Sequence, residues 1–199
     1  MSLLSDNEIR QLCIAPLYYG NHPMIEPFSE TVSGNGVISY GICSAGYDLR
    51  LGPEIFKFRT DCGEIINPKR FGDPEYRRKV FEVCVYKDGD MVIIPPGHYI
   101  LGSSVEYLRI PRHLKGRCVG KSTNARCLIL INTTPAEPEW EGHLTIEIGN
   151  VGQLPACVFV GEGIAQMEFE VLSAEPLVSY KDKGGKYQAQ RGVTPARVL

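Results

Sequence analysis

Leu144-Thr145-Ile146-Glu147-Ile148 alternates apolar and polar side chains without a break. In an extended strand, Leu144, Ile146 and Ile148 share one face while Thr145 and Glu147 share the other. A single carboxylate on such a strand faces either solvent or a pocket. In a pocket, desolvation raises its pKa, and it can take up and return protons near neutral pH. Upstream, Gly116-Arg117-Cys118-Val119-Gly120-Lys121-Ser122-Thr123 sets glycines, a cation and two hydroxyls close together, with Arg126 just behind. Such a run can hold phosphate oxygens; the plain alternative is a polar turn with two solvated cations. It is not a P-loop, because three residues rather than four separate Gly116 from Gly120, and no βαβ pattern surrounds it. Pro135-Ala136-Glu137-Pro138-Glu139-Trp140-Glu141-Gly142 is a rigid loop, two prolines fixing φ and the glycine releasing it. Its glutamates suit either a metal or open water, and Trp140 suits a packing anchor.

Other chemistries lack their residues. A zinc-dependent nucleobase deaminase needs H-x-E followed by P-C-x-x-C. Here His22, His98, His113 and His143 are scattered, and no cysteine pair follows His143. The nucleophile elbow G-x-S-x-G is also missing. Lysine plus arginine is 21 against 23 acids, so no general basic field exists to grip nucleic acid. No apolar run is long enough to span a membrane, and the opening MSLLSDNEIRQL is not a signal peptide. Seven cysteines, an odd number with no C-x-x-C, fit reduced and mostly buried thiols in a cytoplasmic protein.

The elements that must position these residues are mainly strands. The chain has 199 residues, 43% hydrophobic, enough for one core. Ser5-Asp6-Asn7-Glu8 is a capping box, and Ile9, Leu12 and Cys13 share a helical face; a helix is expected from Asp6 to Cys13, with Pro16 past its end. Then short β-rich runs recur: 47–51, 80–85, 91–94, 99–101, 105–110, 128–132, 144–148, 157–160 and 165–171. Their length and spacing, with turns at Asp88-Gly89-Asp90 and Pro95-Pro96-Gly97-His98, predict an all-β sandwich or barrel. Residues 59–79 are polar and basic, which predicts a surface excursion. The polar tail from Ser179, with Gly184-Gly185, predicts a mobile arm rather than core.

Taken together, these stretches resemble one family, the dCTP deaminases of the dUTPase-like superfamily. The resemblance runs in order through Leu4-Ser5-Asp6 with Ile9-Arg10, Ile25-Glu26-Pro27-Phe28, Ser39-Tyr40-Gly41, Gly46-Tyr47-Asp48-Leu49-Arg50, Ile94-Pro95-Pro96-Gly97 and Val105-Glu106-Tyr107. It continues through Val119-Gly120-Lys121-Ser122-Thr123-Asn124-Ala125-Arg126-Cys127, Glu137–Glu147 and Gly184–Gly192. It implies a mainly-β fold with short helices, a distorted β-barrel over residues 1–178 with a flexible lid over 179–199. It also implies a homotrimer with active sites between subunits. The implied reaction is hydrolysis of dCTP to dUTP and ammonia, supplying dUMP and dTTP, with magnesium on the triphosphate and no zinc. The implied catalytic residues are Glu147 as proton shuttle, Ser122 positioning the water and the amine, and Arg126 near the reacting centre. Lys121, Ser122, Thr123, Asn124, Ala125 and Arg126 would bind nucleotide, Thr145, Ile146 and Gln166 would meet the pyrimidine, and Tyr180, Lys186 and Gln190 would close over the phosphates.

Against dUTPases and bifunctional deaminase–dUTPases, Glu137 stands where a hairpin aspartate activates water. That longer side chain favours deamination alone over a bifunctional enzyme releasing dUMP and pyrophosphate. A non-catalytic nucleotide-binding regulator would more readily have lost Glu147 or Ser122. The loop 127–135 is shorter than the family pattern, and Leu128 replaces its usual glycine. These departures bear on the pyrimidine pocket and on feedback by dTTP.

Overall fold

The structure is a computed structural model that describes residues 2–14 and 22–198. The first helix, α1, spans Asp6–Ile14. Its capping box forms: the amide and hydroxyl of Ser5 each donate to Glu8 Oε2 at 2.8 Å. Ile9 and Cys13 are buried by this helix, as their spacing predicts. Pro16 lies outside the described residues.

The rest is mainly β. One sheet contains β1 (Ile25–Glu26), β5 (Glu54–Phe58), β6 (Phe81–Val85), β8 (Tyr99–Arg109), β10 (Ile129–Asn132) and β11 (Glu141–Asn150). Its order is β10-β11-β8-β5-β6, with β1 also against β8. The second contains β2 (Val32–Gly34), β3 (Val37–Cys43), β4 (Gly46–Arg50), β9 (Leu114–Gly120) and β13 (Gly163–Val171), ordered β2-β3-β4-β13-β9. The strands β7 (Met91–Ile94) and β12 (Ala156–Phe159) pair with each other. The main core includes Tyr47 and Leu49 of β4, Leu108 of β8, Ile146 and Ile148 of β11, and Phe169 of β13.

Two runs expected as separate strands, 99–101 and 105–110, form the single strand β8. Gly102-Ser103-Ser104 interrupts the apolar pattern but is buried. Ser104 Oγ donates to Glu106 O at 2.6 Å and accepts from Leu144 N at 2.9 Å. A Cβ on Gly102 would stand 2.6 Å from Leu51 Cδ1, so a larger residue there would have to push the Leu51 side chain aside. The excursion predicted over 59–79 is more than surface. Asp73 caps the helix α2 (Pro74–Val80), and Phe71, Tyr76 and Val80 join Phe81, Leu101 and Val193 in a second, smaller core. Asp73-Pro74 was the readable signal, an N-cap followed by proline at the first helical position. The run read as a polar turn is the end of β9 followed by a short helix, α3 (Ser122–Arg126). The cysteines are all free: Cys13 is buried, Cys43, Cys62, Cys84, Cys118 and Cys157 are partly buried, and Cys127 is exposed.

Residues 179–198 do not stand clear of the core in this structure. Ser179, Gln190, Val193 and Thr194 are buried, and Tyr180 packs against the main core. Composition could not show this, because the segment docks mainly through backbone groups. Ala189 N donates to Glu141 O at 2.9 Å, and His143 N donates to Gln190 O at 3.1 Å. Its root is held by Arg112, which pairs with Asp182 at 2.9 Å and donates to the carbonyls of Pro176 and Leu177. No helix among the described residues is long and apolar enough to cross a membrane.

Candidate active site

The strand β11 carries out the alternation its sequence demands. Leu144, Ile146 and Ile148 are buried on one side, while Thr145 and Glu147 are half-buried on the other. Pairing then fixes Glu147's neighbours: Asn132 of β10 lies opposite it on one flank and Leu101 of β8 on the other. Leu101 in turn lies opposite Phe56 of β5. Residues directly opposite in an antiparallel pair share a face. One sheet face therefore runs from a polar amide through the carboxylate to an apolar side chain and an aromatic ring.

A cavity of about 680 Å³ opens on that face, a size typical of small-molecule sites. Thr145 and Glu147 line it together with Lys115 of β9, Glu137 and Trp140 of the preceding loop, and Tyr180, Lys186 and Gln190 of the tail. Its other end is made by Phe58, Phe71, Phe81 and Leu101. Burial pushes the Glu147 carboxyl above its ordinary value of 4.5. Among the described residues no ion pair offsets that desolvation. Burial, with the Glu147 charge adding to it, pushes the neighbouring Cys118 thiol up to about 12. Glu147 thus has what a proton carrier needs: partial shielding from water, and no cation pinning it in the ionised form.

The tail builds the roof. Thr194 N donates to Thr145 Oγ1 at 3.0 Å, and Gln190 Nε2 donates to His143 O at 2.6 Å and toward Thr145 Oγ1 at 3.4 Å. The Trp140 indole donates to Tyr187 O at 3.0 Å, and Tyr187 N donates to Tyr180 Oη at 3.0 Å. Lys183 Nζ reaches Glu137 Oε2 at 2.5 Å, joining roof to loop. Arg191 stacks over the Tyr107 ring at 4.0 Å. Gly185 passes so close to Tyr180 that a Cβ would lie 2.1 Å from its ring. At that position the glycine serves close approach; the left-handed backbone is at Gly184, with φ 61°.

The other expected site residues are placed elsewhere on the chain. Ser122, Thr123, Ala125 and Arg126 are exposed on α3, outside this cavity. The two remaining members of that motif face inward. Asn124 Nδ2 donates to Ile164 O at 3.2 Å, and buried Lys121 donates to Asp48 and Ser39. The Lys121 ammonium therefore anchors α3 to β4 rather than reaching outward. Gln166 donates to Asp48 Oδ1 at 3.3 Å and Cys43 Sγ at 3.1 Å, so it is separated from Thr145. The Ile146 side chain is in the core, leaving only its backbone for a ligand. Sequence reading missed Asp48 as a support, Lys115 as a wall, and the aromatic end of the cavity; the signal for the last was Phe71 and Phe81 in and beside a segment of polar composition.

The buried Asp48–Lys121 pair has a measurable consequence. Asp48→Ala strands a buried ammonium and should cost about 3–5 kcal/mol in denaturant unfolding. Adding Lys121→Met should recover most of that loss. A double variant no more stable than the single one would show that the pair is not what holds α3.

The fold is shared with the 2'-deoxycytidine 5'-triphosphate deaminase from Agrobacterium tumefaciens. The TM-score is 0.60 at 18% identity, covering 85% of this chain and 47% of that longer one. Over its full length the chain is 46% identical to a dCTP deaminase from a Nitratiruptor species, covering all 199 residues and all of that protein. It is 47% identical to a dCTP deaminase from Wolinella succinogenes, over 89% of this chain and 91% of that one. Residues 3–172 match the family model described as dCTP deaminase-like, and the chain belongs to that family.

Proposed function

We infer that the chain catalyses hydrolytic deamination of dCTP, yielding dUTP and ammonia. The observation that carries the chemistry is a half-buried, unpaired Glu147 facing a nucleotide-sized cavity whose roof and wall bring lysines 115 and 186. Glu147 takes a proton from the water whose oxygen attacks C4 of the cytosine. It passes that proton to N3, then takes the second from the resulting C4 hydroxyl and passes it to the departing amine, so C4 exchanges nitrogen for oxygen and ammonia leaves. Lys115 and Lys186 supply charge for the phosphates, and Gln190 and Thr145 set the base against the carboxylate.

The α3 groups complete the site from a second copy. Ser122 and Arg126 are displayed on the surface of their own chain, beside the exposed apolar Leu128 and Leu130. A homotrimer of distorted barrels, with each cavity closed by the α3 of a neighbour, uses both features. In that arrangement Ser122 orients the water and the amine, and Arg126 and Thr123 hold the nucleotide. The segment from Ser179 acts as a lid, and the docked pose is its closed position. Among the described residues no cluster of carboxylates, histidines or cysteines could hold a metal, and Glu137 is paired with Lys183, so magnesium would enter on the triphosphate itself. Bound with the triphosphate, it would neutralise phosphate charge, leaving proton transfer to Glu147. The proposed setting is cytoplasmic, with dTTP competing for the same cavity.

The test is incubation with dCTP and magnesium, followed by product separation. Ammonia with dUTP is expected, and a chelator that removes zinc but spares magnesium should leave the rate unchanged. Formation of dUMP and pyrophosphate would instead make Glu137 a second water-activating group; no product at all would refute the assignment.

A further inference from the structure

One end of the cavity is walled by apolar side chains alone. Resting on the assignment above, C4 of the base faces Glu147, and the sugar and phosphates run toward the lysines of the roof. The ring edges beside C4 are then N3 and C5. Of those two edges only C5 needs no hydrogen-bond partner, and the apolar Leu101, which lines the cavity, stands opposite Glu147 on the next strand. Beyond Leu101 the cavity continues to Phe58, Phe71 and Phe81, with Ala196 of the tail. No side chain of that recess carries a polar atom. Its rings also brace one another: Phe81 lies 4.7 Å from Phe58 and 5.5 Å from Phe71, centroid to centroid. A rigid apolar recess beside C5 gains from an alkyl group there and offers nothing to a hydrogen.

We propose that the enzyme also deaminates dCTP carrying a small alkyl group at C5, converting 5-methyl-dCTP directly to dTTP. The step balances as the parent reaction does: water adds across C4 and N3, the C4–N bond breaks, and ammonia leaves while the methyl group is untouched. The chain would thereby consume nucleotides released or salvaged with a methylated cytosine. It would return them as the ordinary methylated pyrimidine.

The test compares 5-methyl-dCTP with dCTP as substrates of the full chain with magnesium, scoring dTTP and ammonia. The expected kcat/KM for the methylated substrate lies within about tenfold of that for dCTP, as expected for one methylene-sized change in an apolar pocket. Leu101→Phe, which fills the recess, should lower the ratio of methylated to plain substrate at least about tenfold. Leu101→Ala, which widens it, should raise relative turnover of the 5-ethyl analogue. Turnover of dCTP without any of 5-methyl-dCTP overturns this proposal and leaves the assigned function standing. Turnover of neither overturns both, and a substrate ratio unmoved by folded Leu101 variants removes the recess as its cause.

Discussion

Glu147→Gln is expected to reduce deamination by at least about a thousandfold while dCTP still binds, because the amide keeps the side chain's shape but cannot carry protons. Single-turnover kinetics beside equilibrium binding would show it, and appreciable residual turnover would remove Glu147 from the chemistry. The pH profile sharpens the expectation. Burial holds the carboxyl above 4.5, and the group must be ionised to accept a proton from water. The acid limb of kcat/KM in the wild-type enzyme should therefore lie above the ordinary glutamate range. Stability should move the opposite way. A carboxyl whose pKa is raised on folding binds its proton more tightly folded than unfolded. Its ionised form then costs stability above the folded pKa, and that cost disappears below the unfolded value. The glutamine variant should accordingly be more stable than wild type at neutral pH, on the order of 1 kcal/mol. The two should converge below pH 4.5.

Removing the residues after Ser179 should cost more than a loss of affinity. The truncated chain loses Lys186 and Gln190, the donor to Thr145 Oγ1, and the carbonyl that accepts the Trp140 indole. It also leaves the cavity open to water, which weakens every electrostatic contact within it. A higher KM and a kcat lower by at least about a hundredfold are expected, since water exclusion acts on the transition state as well as on binding. Wild-type kinetics in the truncated protein would show that the tail is no lid.

The legible parts of this molecule were those governed by local pattern. The capping box at Ser5 and Glu8, the turns at Gly89 and Gly97, and the two faces of β11 follow from residue type and spacing. That Thr145 and Glu147 share one face of β11 follows from residue type alone. What local pattern concealed was set by contacts distant in the chain. Strand β9 was hidden by Lys115, Gly116 and Arg117, which break its alternation; a Cβ on Gly116 would stand 3.1 Å from Ala136 Cβ and Met167 Sδ, a tight contact. The docking of the tail was hidden because backbone groups do most of it. Lys121 resembled an outward cation because its partner, Asp48, lies 73 residues away. Leu128 shows the reverse case: its φ of 62° is a backbone state that favours glycine, so the sequence departs from what the turn prefers.

Val193, near the end of the tail, sits in the small core formed by Phe71, Tyr76 and Phe81. Fraying of the 59–80 segment would loosen the far end of the roof as well as its own helix. Damage at Tyr76, a residue that does not line the cavity, would then register first as altered kinetics, and assays at saturating substrate would understate it.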